Sequence, residues 1–106
     1  MVAEPYTPDD PEARLALFDF AFENAPIGVA LVDVEGRIIR GNAAFAKLLS
    51  LPLEKVLGTH FRDFTHKEDI EADLILFQQV LQGSRDGYTI EKRYLRPFGE
   101  IVHVLI

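Results

Sequence analysis

Between His60 and Asp69 the chain brings two imidazoles and three carboxylates close together in sequence: His60, Asp63, His66, Glu68 and Asp69. These are the donor types of a metal centre or of an acid–base pair. They are also the residue types of helix starts, where carboxylates meet the positive end of the helix dipole and short polar groups accept from free amides. In "THKED" the spacing is that of a capping box, with Thr65 as cap and Glu68 reaching back. Capping is the simpler work, so neither a catalytic residue nor a metal ligand is expected here. His103, close to Arg93 on a strand face, has the titration range of a pH sensor, but its ordinary role is that of a partly buried sheet histidine.

Other chemistries are absent from the sequence. With no cysteine, thiol nucleophiles, disulfides and zinc–thiolate or iron–sulfur sites are excluded. No nucleophile elbow, phosphate loop or pair of catalytic carboxylates occurs. The formal charge of −6 opposes a nucleic-acid footprint, which needs clustered Lys and Arg. The longest apolar run, Ile27 to Val32, falls far short of the roughly 20 residues that span a bilayer. No membrane contact is expected of this segment, and a cytoplasmic setting is.

At 106 residues, 48% of them apolar, the chain suits one domain with one core. Residues 1–10 read as a mobile arm and residues 11–24 as an amphipathic helix capped by Asp10 with Pro11 at its first position. Leu15, Phe18 and Phe22 form one stripe of that helix; Leu17, Phe20 and Ala21 form another. "IGVALVD", "VEG" and "RIIRG" predict a strand, a glycine turn at Gly36 and a second strand. Both faces of the first strand are apolar, which predicts a central position covered on both sides. Asn42 is an N-cap for "AAFAKLLS", a short helical turn follows around "LEKVL", and Ile70, Leu74, Phe77 and Leu81 mark a long helix stopped by Gly83.

The closing stretch "YTIEKRYLRPFGEIVHVLI" can be read to its register. A three-residue loop at Pro97-Phe98-Gly99, with Gly99 left-handed, sets Tyr94 opposite Val102, Lys92 opposite Val104 and Ile90 opposite Ile106. Tyr88, Ile90, Lys92, Tyr94, Val102, Val104 and Ile106 then share one face. Leu95, Ile101 and Leu105 lie on the other, with Thr89, Glu91, Arg93 and His103.

The order of elements, with "ENAPIGVALVDVEGRIIRGNAAFAKLLSLPLEKVLGTHFRDFTHKEDIEADL" and "GYTIEKRYLRPFGEIVHVLI", resembles the PAS sensor domain over about residues 20 to 106. The resemblance lies in an apolar strand ending in Asp33, a glycine turn, Asn42 heading a helix, Gly58 before a short helix, His66-x-x-Asp69 opening the long helix, and Glu91-x-Arg93 before a glycine turn. Phe98 stands where the family usually has Asp. The resemblance implies an α+β fold: an antiparallel sheet with helices on one face, an N-terminal capping helix, and a core over residues 25–106. It also implies a final strand in the middle of the sheet, between the first strand and Ile101 to Ile106, that this sequence lacks. We expect that gap to be filled by a segment such as Val2 to Thr7, or the two edges to close on each other.

Family resemblance further implies where cofactors would leave a mark. The cysteine of photosensory flavin domains falls at Phe61, the haem-ligating histidine at Asp73, and the tryptophan of redox flavin members at His103, so no cofactor is expected. What remains is a pocket for an unidentified small molecule, with Phe45, Leu49, Phe61, Phe64, Leu74, Phe77, Ile90, Val104 and Ile106 as apolar lining. Lys92 and Tyr94 are its polar handles, suited to an acidic ligand unless Lys92 snorkels to solvent. Leu17, Phe20, Ala21, Leu95, Ile101 and Leu105 are candidate dimer contacts. The implied role is a non-catalytic sensory and homodimerisation module of a larger bacterial signalling protein, regulating a histidine kinase or a cyclic-di-GMP cyclase or phosphodiesterase. A ligand-free docking module and a redox sensor with atypical ligands are the alternatives.

Overall fold

The computed structural model describes residues 9–106; the segment Val2 to Thr7 and most of the expected arm lie outside the described residues. Helix α1 (Pro11–Asn24) starts where Asp10 Oδ1 accepts from Glu12 N at 3.0 Å, with proline in the first turn. Of its two stripes only Phe22 is buried. Leu15 and Phe18 stay 61% and 49% exposed. The helix is held to the body by Arg40, whose guanidinium donates to Asp19 at 2.9 Å and to Glu23 at 3.3 Å and lies 4.3 Å from the centre of the Phe22 ring.

Strands β1 (Ala30–Val32) and β2 (Ile38–Gly41) form the first hairpin, with a register shift between Leu31 and Val32. In its turn Asp33 Oδ1 accepts from Glu35 N and Arg37 N, and Gly36 sits at φ +87°, where a Cβ would run into the His60 imidazole. Three short helical pieces follow: α2 (Ala43–Leu49), α3 (Leu53–Val56) and a 3₁₀ turn (Phe61–Phe64). The long helix α4 (Lys67–Leu81) leads to the closing hairpin of β3 (Glu91–Leu95) and β4 (Ile101–Leu105). Its pairs are those expected, Lys92 with Val104 and Tyr94 with Val102, and Ile90 and Ile106 exchange backbone hydrogen bonds of 2.9 Å. Gly99 takes φ +84° in the turn.

Thr65 does not cap α4. His66 does, its Nδ1 accepting from Glu68 N at 3.1 Å. An imidazole Nδ1 stands as many bonds from the backbone as an Asn oxygen, so histidine can do the same work. Thr65 instead donates to Phe61 O at 2.8 Å, and Glu68 accepts from Arg93 rather than reaching back. The reciprocal cap forms one step earlier: His60 Nδ1 accepts from Arg62 N and Asp63 Oδ2 from His60 N, both at 3.1 Å. The histidines and carboxylates of this stretch are therefore spent on two helix starts and on Arg93.

The described strands form two two-stranded antiparallel sheets, β1 with β2 and β3 with β4. The reading of β1 as a central strand covered on both sides does not hold: Leu31 and Val32 are each 39% exposed. Among the described residues β2 is its only strand neighbour, so no described strand pairs with its outer edge. The two edge strands also do not close on each other, since β1 and β4 share no ladder. Between the hairpins and the helices lies the core of Ile38, Phe45, Leu49, Val56, Phe61, Phe64 and Tyr94. Phe45, Phe64 and Tyr94 meet edge to face, with centroids 5.5 to 6.4 Å apart.

Candidate functional site

A cleft of about 580 Å³ opens between the edges of β1 and β4, where the resemblance places a further strand of the sheet, and reaches α4. One side is built by Ile27, Val29, Ala30 and Val32; the other by Val104, Leu105 and Ile106; Ile38, Phe45, Leu48, Phe61 and Phe77 form the floor. Alternation in the closing hairpin puts Lys92, Tyr94 and Val104 on this side, because side chains of a strand point alternately to its two faces.

Of the residues read as pocket lining, Phe45, Phe61, Phe77, Lys92, Tyr94, Val104 and Ile106 border the cleft. Leu49 and Phe64 belong to the solid core behind it. Leu74 packs against that core from α4 and also borders an outer groove with Ile70 and Ile75. Ile90 is half-buried beside Ile106 and does not border the cleft.

One wall is polar, and sequence reading missed most of it. Lys92 does not snorkel: it is 5% exposed, and its Nζ donates to Asp73 Oδ2 and, at 3.2 Å, to Thr65 Oγ1. Asp73 is 1% exposed and the single fully buried residue of α4. Its second oxygen accepts from the Tyr88 hydroxyl at 2.7 Å. The Lys92 ammonium also lies 5.1 Å and 5.0 Å from the ring centres of Phe61 and Tyr94. Burial, and then the hydrogen bond to Asp73, pushes the Tyr88 phenol above its ordinary range; burial with the nearby Asp73 charge does the same to Tyr94. A signal for Asp73 was present: it stands three residues after Ile70 and four before Phe77, on the apolar stripe of the helix. The position that the resemblance assigns to a haem-ligating histidine thus holds a carboxylate bound by Lys92 and Tyr88.

A second cluster ties the start of α4 to β3 from outside. Asp69 accepts from Arg93 through Nε at 2.9 Å, Nη2 at 2.7 Å and the backbone N at 2.8 Å, and His66 N donates to Arg93 O at 2.8 Å. The Asp of His-x-x-Asp and the Arg of Glu-x-Arg are therefore partners. Hydrogen bonds from Arg93 hold the Asp69 carboxyl down at about 2. A depressed folded value means the stabilisation is complete above the unfolded value of about 4 and is lost as pH falls toward 2. Chemical unfolding should therefore show a loss of stability between about pH 4 and pH 2 that is smaller in Asp69→Asn, once the variant's constant offset is removed. Equal pH slopes for the two proteins would contradict the pairing.

Burial lowers the pKa of His60, which is folded under the Gly36 turn. His103 is exposed on the outer hairpin face rather than partly buried. Leu95, Ile101 and Leu105 share that face, 38%, 46% and 69% exposed. On α1, Leu17 and Phe20 are half-buried and Ala21 is exposed.

A family model described as PAS fold matches residues 16–106. Among curated proteins the chain is similar to a probable diguanylate cyclase, DgcE, of Escherichia coli K12, 34% identical over 89 residues; the match covers 84% of this chain and 8% of that protein. Among solved structures it is similar to the PAS domain of an HTR-like protein from Haloarcula marismortui, at 28% identity and a TM-score of 0.69, covering 89% of this chain and 76% of that one. A domain of a sensory box sensor histidine kinase/response regulator from Geobacter sulfurreducens shares the fold at 13% identity, with a TM-score of 0.78 and coverage of 93% and 85%.

Proposed function

This chain belongs to the PAS family, and from that premise we propose that it is a non-catalytic sensory module of a larger signal-transduction protein, able to pair with a second copy. The output it regulates is a histidine kinase or a cyclic-di-GMP cyclase or phosphodiesterase, a reading supported by the similarity to the E. coli cyclase. It works in the cytoplasm, where such outputs find their substrates. The observation that carries the reading is the cleft itself, because its polar wall joins α4 to β3 through Asp73 and Lys92. A molecule seated there touches both elements, and a change in their packing reaches the outer face at Leu95, Ile101 and Leu105. The mechanism is a shift between two packings, driven by the ligand's differential affinity for them.

Native mass spectrometry of the freshly purified chain tests this. A retained small mass that is released on unfolding is expected, together with a dimer that Phe20→Glu converts to monomer. A bare monomer at every concentration would sink the sensory dimer. A bare dimer would leave the docking alternative, which the exposed apolar outer face favours.

A further inference from the structure

Two side chains next to each other on the fold, Arg40 of β2 and Asn42 just beyond it, reach the second half of α1. Asn42 is wholly buried and its Nδ2 donates to Phe22 O and to Ile27 O, which fixes the end of the helix and the chain that leaves it. Arg40 holds the turns before that end. Its guanidinium donates to Asp19 at 2.9 Å and to Glu23 at 3.3 Å, and it lies 4.3 Å and 5.6 Å from the ring centres of Phe22 and Phe18.

On its own this helix is weak. Its 14 residues are at the length where an isolated helix is marginal in water. Its last turn has no basic residue and carries Glu23 at the negative end of the helix dipole, where a carboxylate is unfavourable. Arg40 supplies the positive charge that this end lacks. Its hold is nonetheless modest, because the guanidinium and both carboxylates are partly exposed, so each ion pair adds little and is screened by salt. Only Phe22 of the helix is buried. Docking of α1 and its helical state therefore depend together on one charged side chain.

We propose that Arg40 is a clasp and α1 a detachable strap. The helix passes between a docked state and a released, unfolded one while the core around Ile38, Phe45 and Leu49 stays folded, and Asn42 is the fixed end from which it opens. The device stands apart from the cleft and from any ligand in it. A released α1 no longer presents Leu17 and Phe20 on one face, so the clasp also bears on the pairing proposed above.

Amide hydrogen exchange of the whole chain, resolved by residue at neutral pH, tests this. After correction for intrinsic rates, Leu15 to Ala21 should exchange about a hundredfold or more faster than Ile38 and the middle of α4. Arg40→Gln should speed the α1 amides by about a further tenfold and leave the reference amides unchanged, since it removes two ion pairs and the cation–π contact. Arg40→Lys should fall between, keeping the charge without the planar fork that spans both carboxylates. Raising salt from about 50 to about 500 mM should speed α1 exchange in the parent and have less effect in Arg40→Gln. If α1 and the reference amides exchange at one rate in the parent, the helix opens only with the whole domain and there is no strap. An Arg40→Gln chain whose α1 amides are unchanged, or whose reference amides are accelerated as much, would overturn the clasp, as would an equal salt response in both proteins.

Discussion

Asp73→Ala will destabilise the protein by about 3–5 kcal/mol, because it leaves the Lys92 ammonium buried and uncompensated. Lys92 is 5% exposed, and its other oxygen partner, the Thr65 hydroxyl, carries no charge. The informative contrast is a variant that removes the whole network at once. Asp73→Leu with Lys92→Met and Tyr88→Phe keeps roughly the same volume and leaves no buried charge. Thr65 keeps its bond to Phe61 O. That combination should lie between neutral and about 4 kcal/mol more stable than the parent, since two desolvation penalties vanish with the attraction. Urea unfolding with an unchanged slope measures both. If the single and the combined variants lose the same stability, the pair is a net stabiliser and the desolvation argument fails.

The second large effect is expected at Asn42. The residue is wholly buried and satisfies four backbone groups from three places in the chain. Its Oδ1 accepts from Phe45 N at 2.9 Å and from Val29 N at 3.0 Å; its Nδ2 donates to Phe22 O and Ile27 O, both at 3.0 Å. One of those bonds caps α2, one occupies a carbonyl at the end of α1, and two hold the approach to β1. Asn42→Ala should cost about 3–4 kcal/mol, the sum of a lost cap and of buried backbone groups left unpaired. Asn42→Asp separates this bracing role from capping alone. As an N-cap aspartate equals asparagine, but here it cannot donate and it sets an oxygen against two carbonyl oxygens. It should therefore cost about as much as alanine at neutral pH. A loss of only a few tenths of a kcal/mol in thermal or urea unfolding would show that Asn42 merely caps.

These two residues mark how far the sequence could be read. Asn42 is legible as a cap, because the signal for capping is local: an Asn immediately before an apolar helical run. Its donors reach Phe22 and Ile27, and no spacing rule links those positions. Asp73 lies on the stripe of α4 by spacing, yet a polar residue on an apolar stripe is ordinarily discounted. Only the position of Lys92 on β3, brought over it by the fold, makes its burial sensible. Thr65 shows the opposite failure. Its spacing to Glu68 suits a capping box, but Arg93 competes for Glu68 and His66 stands one residue nearer the helix.

The elements themselves, their order, the α+β class, the turn glycines and the register of the closing hairpin were determined by the sequence alone, because each depends on contacts between near neighbours in the chain. Alternation of period two on both strands, pinned by Gly99, admits one register with a buried face. Tertiary structure alone decided which polar residues are buried, that β1 lacks a second strand beside it among the described residues, and that the cleft's polar wall joins α4 to β3. Those outcomes depend on where distant segments come to rest, and the burial of a charge is settled only by the partner that arrives to compensate it.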